Sequence, residues 1–141
     1  MEGLLKGIRI LDLGRFISAP FCGMLLADMG AEVLKIEKVE TGEDGRRLGP
    51  YKNGISVYVT AFNRNKKGMT LNFRSEEGKE IFRKLVAKSD VIIENFRPGT
   101  MEKMGFDYET CRTINPRIIM SSISGFGQKG RYSHKAAFDG I

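Results

Sequence analysis

The chain has 141 residues, of which 41% are apolar and 28% are charged. This length suits one domain with its own hydrophobic core, and this balance excludes an intrinsically disordered chain. The 23 lysines and arginines outnumber the 17 acidic residues, and the resulting net charge of +6 favours anionic partners.

Membrane insertion and metal binding find little support in the sequence. No apolar run approaches the roughly 20 residues of a membrane-spanning helix, so we expect no membrane partner. The N-terminal residues lack the pattern of a secretion signal. Two cysteines and one histidine are too few for a disulfide scaffold or a metal centre. We therefore expect Cys22 and Cys111 to be free thiols in a cytoplasmic protein, and we expect no metal.

The first part of the chain alternates strand, helix and strand. Residues 8–13 (IRILDL) are apolar and β-branched, which predicts a buried strand. Apolar residues at helical spacing predict a helix over residues 21–29, opened by Pro20 and closed by Gly30. Residues 31–37 (AEVLKIE) predict the second strand.

The same alternation continues to the end of the chain. Residues 38–54 predict a long loop, and residues 55–62 fit either a short helix or a strand. The remaining predicted elements are a strand at 68–73, a helix capped by Ser75 with Ile81, Phe82, Leu85 and Val86 as its buried stripe, a strand at 90–94, a helix from Asp107 to Ile114 and a strand at 117–123. This order predicts an α/β fold with a Rossmann-like, open, mostly parallel sheet covered by helices on both faces.

Cations follow several of the predicted strands. Lys38, Arg74 and Arg97 come shortly after strand ends. Ligands of open parallel sheets bind beyond the carboxyl ends of the strands, so this placement indicates a site for a phosphorylated ligand. A basic surface without a ligand is the alternative explanation.

Other nucleotide and hydrolase motifs are missing. Glu37 has the spacing of the acidic residue that holds the ribose in dinucleotide enzymes. However, the turn at residues 14–20 (GRFISAP) lacks G-x-G-x-x-G, which disfavours a dinucleotide site. The P-loop and the G-x-S-x-G nucleophile motif are also missing from the sequence.

Three separated motifs in a specific order resemble a known family. They are NRNK at 63–66, ENFRPG at 94–99 and SGFGQKG at 124–130. With the sequence around them they resemble the N-terminal part of the family III CoA-transferases, which also include acyl-CoA racemases. The resemblance implies that residues 1–141 form an N-terminal, Rossmann-like, coenzyme-A-binding domain of a longer enzyme. It also implies an interlocked homodimer.

The resemblance implies specific coenzyme A contacts. The adenine would lie near Lys38 and Leu71, and the phosphates would lie against Arg74, Arg97 and Lys103. Asp139 matches an active-site carboxylate of the family, whereas the nucleophilic aspartate is expected beyond Ile141, so the chain alone is expected to be inactive. The complete set of expected contacts is Ile17, Ser18, Lys38, Leu71, Asn72, Phe73, Arg74, Asn95, Phe96, Arg97, Lys103, Ala136, Ala137 and Phe138.

The implied activity is the transfer of coenzyme A between carboxylic acids through an aspartyl mixed anhydride and thioester. The CoA thioester is then a substrate, and no permanently bound cofactor is expected. One alternative is an acyl-CoA racemase, although Phe138 stands where the racemases carry a histidine. Another alternative is a non-catalytic nucleotide-binding module. No basic surface with interleaved aromatic residues is evident, so we expect no nucleic-acid partner.

Overall fold

The computed structural model of the chain describes residues 3–137, in which five parallel strands form the central sheet. These strands are β1 (Arg9–Asp12), β2 (Glu32–Glu37), β5 (Lys67–Thr70), β6 (Val91–Glu94) and β7 (Ile119–Ser122). A separate antiparallel hairpin consists of β3 (Tyr51–Lys52) and β4 (Ile55–Ser56). The helices are α1 (Ser18–Asp28), α2 (Val57–Phe62), α3 (Glu76–Val86), α4 (Thr100–Met104) and α5 (Tyr108–Ile114).

The order of the strands in the sheet is β5-β2-β1-β6-β7. From the central β1 the chain first adds β2 and β5 on one side. It then crosses back and adds β6 and β7 on the other side, which is the Rossmann-like arrangement. The predicted mostly parallel sheet is confirmed, and every strand pair within it is parallel.

Alternate residues of the strands build two cores, one on each face of the sheet. Leu11 and Ile92 belong to the larger core, together with Phe82 of α3 and Cys111 of α5. Ile10, Val33 and Ile93 belong to the smaller core, which α1 covers with Ala19 and Ala27. The three central strands, β1, β2 and β6, are therefore buried on both sides, as the apolar runs in the sequence predict, whereas the edge strands β5 and β7 are more exposed. No helix within residues 3–137 has the length and apolar composition of a membrane span.

Several predicted boundaries shift in the structure. Helix α1 begins at Ser18, so Pro20 lies inside its first turn and does not open it. Residues 55–62 contain both of the predicted alternatives, a short strand and then a helix. Strand β4 is followed directly by α2, whose first turn is capped by the Ser56 hydroxyl. The loop over residues 38–54 contains a short 3₁₀ helix (Asp44–Arg47) and β3. Helix α4 was not predicted from the sequence.

The predicted inward stripe of α3 is wrong at one position. Phe82 and Val86 are fully buried, but Ile81 is 44% exposed. Helix α3 turns residues 78, 82 and 86 toward the sheet, and Ile81 lies about 100° away from that line on the solvent side. Phe82 instead packs edge-on against Phe73 and Phe106, with ring centroids 5.0 and 4.6 Å away.

This difference between neighbours predicts a difference in stability. Truncating Phe82 to Ala leaves a cavity in the larger core, so we expect a loss of about 3–5 kcal/mol in the free energy of unfolding. Truncating Ile81 to Ala removes a partly exposed side chain and is expected to cost under about 1 kcal/mol. Urea unfolding of both variants measures these losses, and equal losses would contradict the placement of Ile81.

Candidate functional site

A cleft of about 890 Å³ lies at the carboxyl edge of the sheet. The segments after β1, β2, β5 and β6 line it, and α3 and α4 complete the wall. It thus occupies the place where open parallel sheets bind ligands. The residues expected as coenzyme A contacts that line this cleft are Lys38, Leu71, Asn72, Phe73, Arg74, Phe96 and Lys103.

Six other expected residues do not line the cleft, namely Ile17, Ser18, Asn95, Arg97, Ala136 and Ala137. Ser18 begins α1, directly after Ile17, and Arg97 is exposed on the loop after β6. Ala136 and Ala137 are the last described residues. Phe138 and the expected catalytic Asp139 lie outside the described residues, so their roles stay predictions.

Asn95 holds the turn that follows β1. Its side-chain oxygen accepts a hydrogen bond from the Arg15 N–H at 2.8 Å, and its amide group donates to the Arg15 carbonyl at 2.8 Å and to the Ser18 hydroxyl at 2.9 Å. The ENFRPG motif therefore joins the ends of β1 and β6, which are neighbours in the sheet. This amide shapes the cleft beside Arg15 whether or not it also contacts a ligand.

Arg15 is a cleft residue that the sequence analysis missed. Its guanidinium lies over the Phe96 ring, 4.9 Å from the centroid, and its Nη1 is 3.3 Å from Asp44 Oδ2. Asp44 Oδ1 lies 2.7 Å from Lys38 Nζ. The hydrogen bond from Lys38, together with the charge of Arg15, holds the pKa of Asp44 below its ordinary value. A cation directly after Gly14, at the end of a predicted strand, was the available signal for Arg15.

Two cations of the cleft have no acidic partner among the described residues. Neither Arg74 nor Lys103 is within ion-pair distance of a carboxylate in residues 3–137, whereas Lys79 pairs with Glu76 at 2.7 Å. The loop that carries Arg74 is packed tightly, because a Cβ atom at Gly78 of α3 would lie 1.9 Å from the Asn72 carbonyl oxygen. Glycine at this position lets α3 support the loop closely.

Below the cleft lies a buried ionic cluster centred on Asp12. Its carboxylate is inaccessible to solvent, and Lys66 Nζ approaches Oδ2 to 2.6 Å. Lys66 also donates to the Pro20 carbonyl at 2.7 Å and to Asn63 Oδ1 at 2.9 Å. Burial lowers the pKa of Lys66, and the Asp12 carboxylate opposes this change. The lysine of the NRNK motif therefore has a structural role, joining β1, α1 and the entry to β5.

The other members of the NRNK motif attach the same segment to the end of α1. Arg64 Nη2 lies 2.6 Å from Asp28 Oδ2, and the Asn65 amide donates to Asp28 Oδ1 at 2.8 Å. Asp28 is the last residue of α1. The motif thus holds both ends of α1, with Lys66 at Pro20 and this pair at Asp28.

Lys35 connects two loops of the cleft. Its ammonium donates to the Gly14 carbonyl, lies 3.0 Å from Glu43 Oε2 and is 3.5 Å from Asp12 Oδ1. Glu43 is buried, and burial raises the pKa of its carboxyl group although Lys35 opposes the change. Because Gly14 follows β1 and Glu43 follows β2, this lysine determines the spacing between the loops.

The carboxylate of Glu37 is bound by other groups of the protein. Arg46 donates to both of its carboxylate oxygens at 2.6 Å, and the Glu43 N–H donates to Oε2 at 2.9 Å. Burial acts to raise the pKa of Glu37, but these hydrogen bonds outweigh it and keep the pKa below its ordinary value. A carboxylate held in this way is not presented to a ribose, which agrees with the lack of a dinucleotide fingerprint.

The comparisons with known proteins agree on one family. The sequence model of CoA-transferase family III matches residues 5–141. The chain is 44% identical to the succinyl-CoA–D-citramalate CoA-transferase of Chloroflexus aurantiacus, over 97% of the chain and 34% of that enzyme. It is 45% identical to the succinyl-CoA:glutarate CoA-transferase of Mus musculus, over 97% of the chain and 32% of that enzyme.

A solved structure supports the same grouping. The crystal structure of a CAIB/BAIF family protein from Brucella suis matches with a TM-score of 0.92 and 42% identity, covering 99% of this chain and 38% of that one. The chain therefore spans about a third of the length of the curated relatives described here.

The buried ionic cluster predicts a large effect for Lys66. Replacing Lys66 with Ala leaves Asp12 buried without its main partner, so we expect a loss of about 3–5 kcal/mol in the free energy of unfolding. The matched control is Lys67→Ala, which removes only an exposed pair with Glu32 and should change stability little. Urea unfolding at neutral pH tests both variants, and a small loss for Lys66→Ala would show that the cluster does not carry this stability.

Proposed function

This chain belongs to CoA-transferase family III, and we propose that it forms the coenzyme-A-binding part of a longer enzyme that transfers CoA between carboxylic acids. The observation that carries the proposal is the cleft at the carboxyl edge of the sheet, with Arg74 and Lys103 left without acidic partners among the described residues. The curated relatives compared above are named as transferases, which favours this activity over a racemase.

The size and lining of the cleft suit coenzyme A. Its volume of about 890 Å³ falls near the upper end of the roughly 300–1,000 Å³ range of ligand sites. Leu71, Phe73 and Phe96 provide apolar surface, which fits an adenine or a pantetheine arm. Arg74 and Lys103 provide positive charge, which fits phosphates. This combination agrees with the expected adenine position near Lys38 and Leu71.

In the proposed reaction the described residues bind the carrier and do not form bonds to the acyl group. A carboxylate nucleophile, expected beyond Ile141, would attack the thioester and form a mixed anhydride, with release of CoA thiolate. The cations of the cleft would keep that thiolate bound close to the anhydride. Attack by the thiolate on the enzyme-derived carbonyl would then free the donor acid and give an enzyme thioester. The incoming acid would take the CoA by the same two steps in reverse.

Binding of coenzyme A tests the proposal. Arg74→Gln and Lys103→Gln each remove a charge-assisted contact to phosphate, so we expect each to weaken coenzyme A binding by about tenfold. Arg112→Gln is the matched control, because Arg112 is exposed on α5 and, within residues 3–137, pairs with Glu109 alone. Isothermal titration calorimetry of the four proteins measures the dissociation constants. Equal affinity in all of them would exclude this cleft as the coenzyme A site.

We also propose that the protein functions as a homodimer. Phe21 and Leu25 of α1 and Met29, directly after its end, lie four residues apart, and each is at least 40% exposed. Helical residues at this spacing share one face, and an exposed apolar face of this kind marks a protein contact. A second copy of the chain is the occupant that we propose for it.

Sedimentation velocity tests the dimer. Leu25→Glu places a charge on the apolar face of α1, so we expect the dimer to dissociate into folded monomers. Ile81→Glu is the control, because Ile81 is 44% exposed on α3, which packs on the opposite face of the sheet from α1. A wild-type protein that sediments as a monomer would contradict the proposal, and so would a Leu25→Glu variant that remains dimeric.

A cytoplasmic location completes the proposal. Both cysteines of the chain are free thiols in the structure. This state is typical of proteins in a reducing compartment, where the CoA thioesters of metabolism would also be available as substrates. Cell fractionation followed by immunodetection tests the location, and recovery of the protein outside the cytoplasmic fraction would contradict it.

A further inference from the structure

Asp44 lies between two cations, Lys38 and Arg15, at the mouth of the cleft. It is the first residue of the 3₁₀ helix in the loop after β2. One carboxylate oxygen is 2.7 Å from Lys38 Nζ and the other is 3.3 Å from Arg15 Nη1. A phosphate group could bridge the same two cations with two of its oxygens. The carboxylate therefore occupies a position that suits an anionic ligand.

The contacts of Asp44 are of a kind that a ligand can displace. The side chains of Asp44 and Lys38 are 33% and 44% exposed, and exposed pairs of this type are screened by water and weak. Glu37 provides the contrast. Its side chain is only 7% exposed, and Arg46 binds it through two hydrogen bonds at 2.6 Å. Of these two acidic residues, Asp44 is therefore the one whose ion pairs can be broken at a low cost in free energy.

We propose that Asp44 is an internal competitor for the phosphate group on the ribose of the ligand, beside the adenine expected near Lys38, and that it sets the affinity of the cleft. The proposal rests on the coenzyme A function given above. In the unliganded protein the single negative charge of Asp44 partly balances the two positive charges of Lys38 and Arg15. A phosphate must replace this carboxylate to bind, so only a group with more negative charge than a single carboxylate gains from the exchange. The affinity for coenzyme A is consequently lower than the cations alone would give, which favours release of the product.

The closing experiment compares two variants that remove the same charge from the same loop. Asp44→Asn removes the bridging carboxylate, and Glu40→Gln is the matched control. Glu40 also lines the cleft but has no hydrogen bond or ion pair through its side chain among the described residues. We expect Asp44→Asn to bind coenzyme A roughly three- to tenfold more tightly than wild type, and clearly more tightly than Glu40→Gln. Calorimetry at one fixed, low ionic strength gives the three dissociation constants.

Three results would overturn the proposal. Equal affinities of Asp44→Asn and Glu40→Gln would show that only the total charge of the loop matters. Weaker binding by Asp44→Asn would show that the carboxylate holds Lys38 and Arg15 in place for the ligand and does not compete with it. In a Lys38→Gln background the gain from Asp44→Asn should shrink, because one of the two released cations is then missing, and an undiminished gain would also contradict the proposal.

A second probe separates this inference from the proposed function. Inorganic pyrophosphate has the anionic groups of the ligand without adenosine or pantetheine, and we expect it to bind Asp44→Asn more tightly than Glu40→Gln. If no variant binds coenzyme A while this difference with pyrophosphate is found, the proposed function is wrong and the role of Asp44 stands. If coenzyme A binds but neither probe distinguishes the two variants, the role of Asp44 is wrong and the function stands. Circular dichroism spectra confirm that the variants remain folded.

Discussion

The contact on which the cleft depends is the buried ion pair between Asp12 and Lys66. Asp12 is inaccessible to solvent, and Lys66 approaches it to 2.6 Å. Removing two such ions from water costs several kcal/mol per ion, and the cost is offset only when the remaining hydrogen-bonding positions are also filled. Here they are filled by backbone carbonyls and by the second lysine, Lys35. These bonds reach the turn after β1, the start of α1 and the loop after β2, so the walls of the cleft are held by one cluster.

Two groups of cations in and below the cleft consequently have different roles. Lys35 and Lys66 are almost fully buried and are satisfied by the protein itself. Arg74 and Lys103 are exposed and lack acidic partners within residues 3–137. Only the second group can give a ligand a large electrostatic gain, because its charges are not already neutralised. The net charge of +6 describes both groups together and cannot distinguish them.

Acidic residues also shape the cleft, and they differ in how firmly they are bound. Glu37 and Glu43 are buried, and both attach the loop after β2 to β2 itself, because Glu37 of the strand binds Arg46 of the loop and Glu43 of the loop binds Lys35 of the strand. Asp44 is more exposed and meets Lys38 and Arg15 at the mouth. The cleft is therefore lined by alternating charges and is not uniformly positive. This arrangement keeps the cationic loops together in the absence of a ligand, because unbalanced neighbouring cations would repel each other.

The sequence by itself determined the alternation of strands and helices along the chain, the N-caps at Ser75 and Asp107 and the parallel sheet, because apolar periodicity and capping depend on residues close together in the chain. It also placed Lys38 and Arg74 at strand ends, where the cleft lies. Only the tertiary structure decided which charges meet. Lys66 and Asp12 are 54 residues apart, and Arg15 and Asp44 are 29 apart. A local sequence pattern does not predict such distant ion pairs, because the pairs form only when the sheet brings the carboxyl ends of its strands together. For the same reason the exposure of Ile81 depended on the packing direction of α3, which its own apolar spacing left undecided.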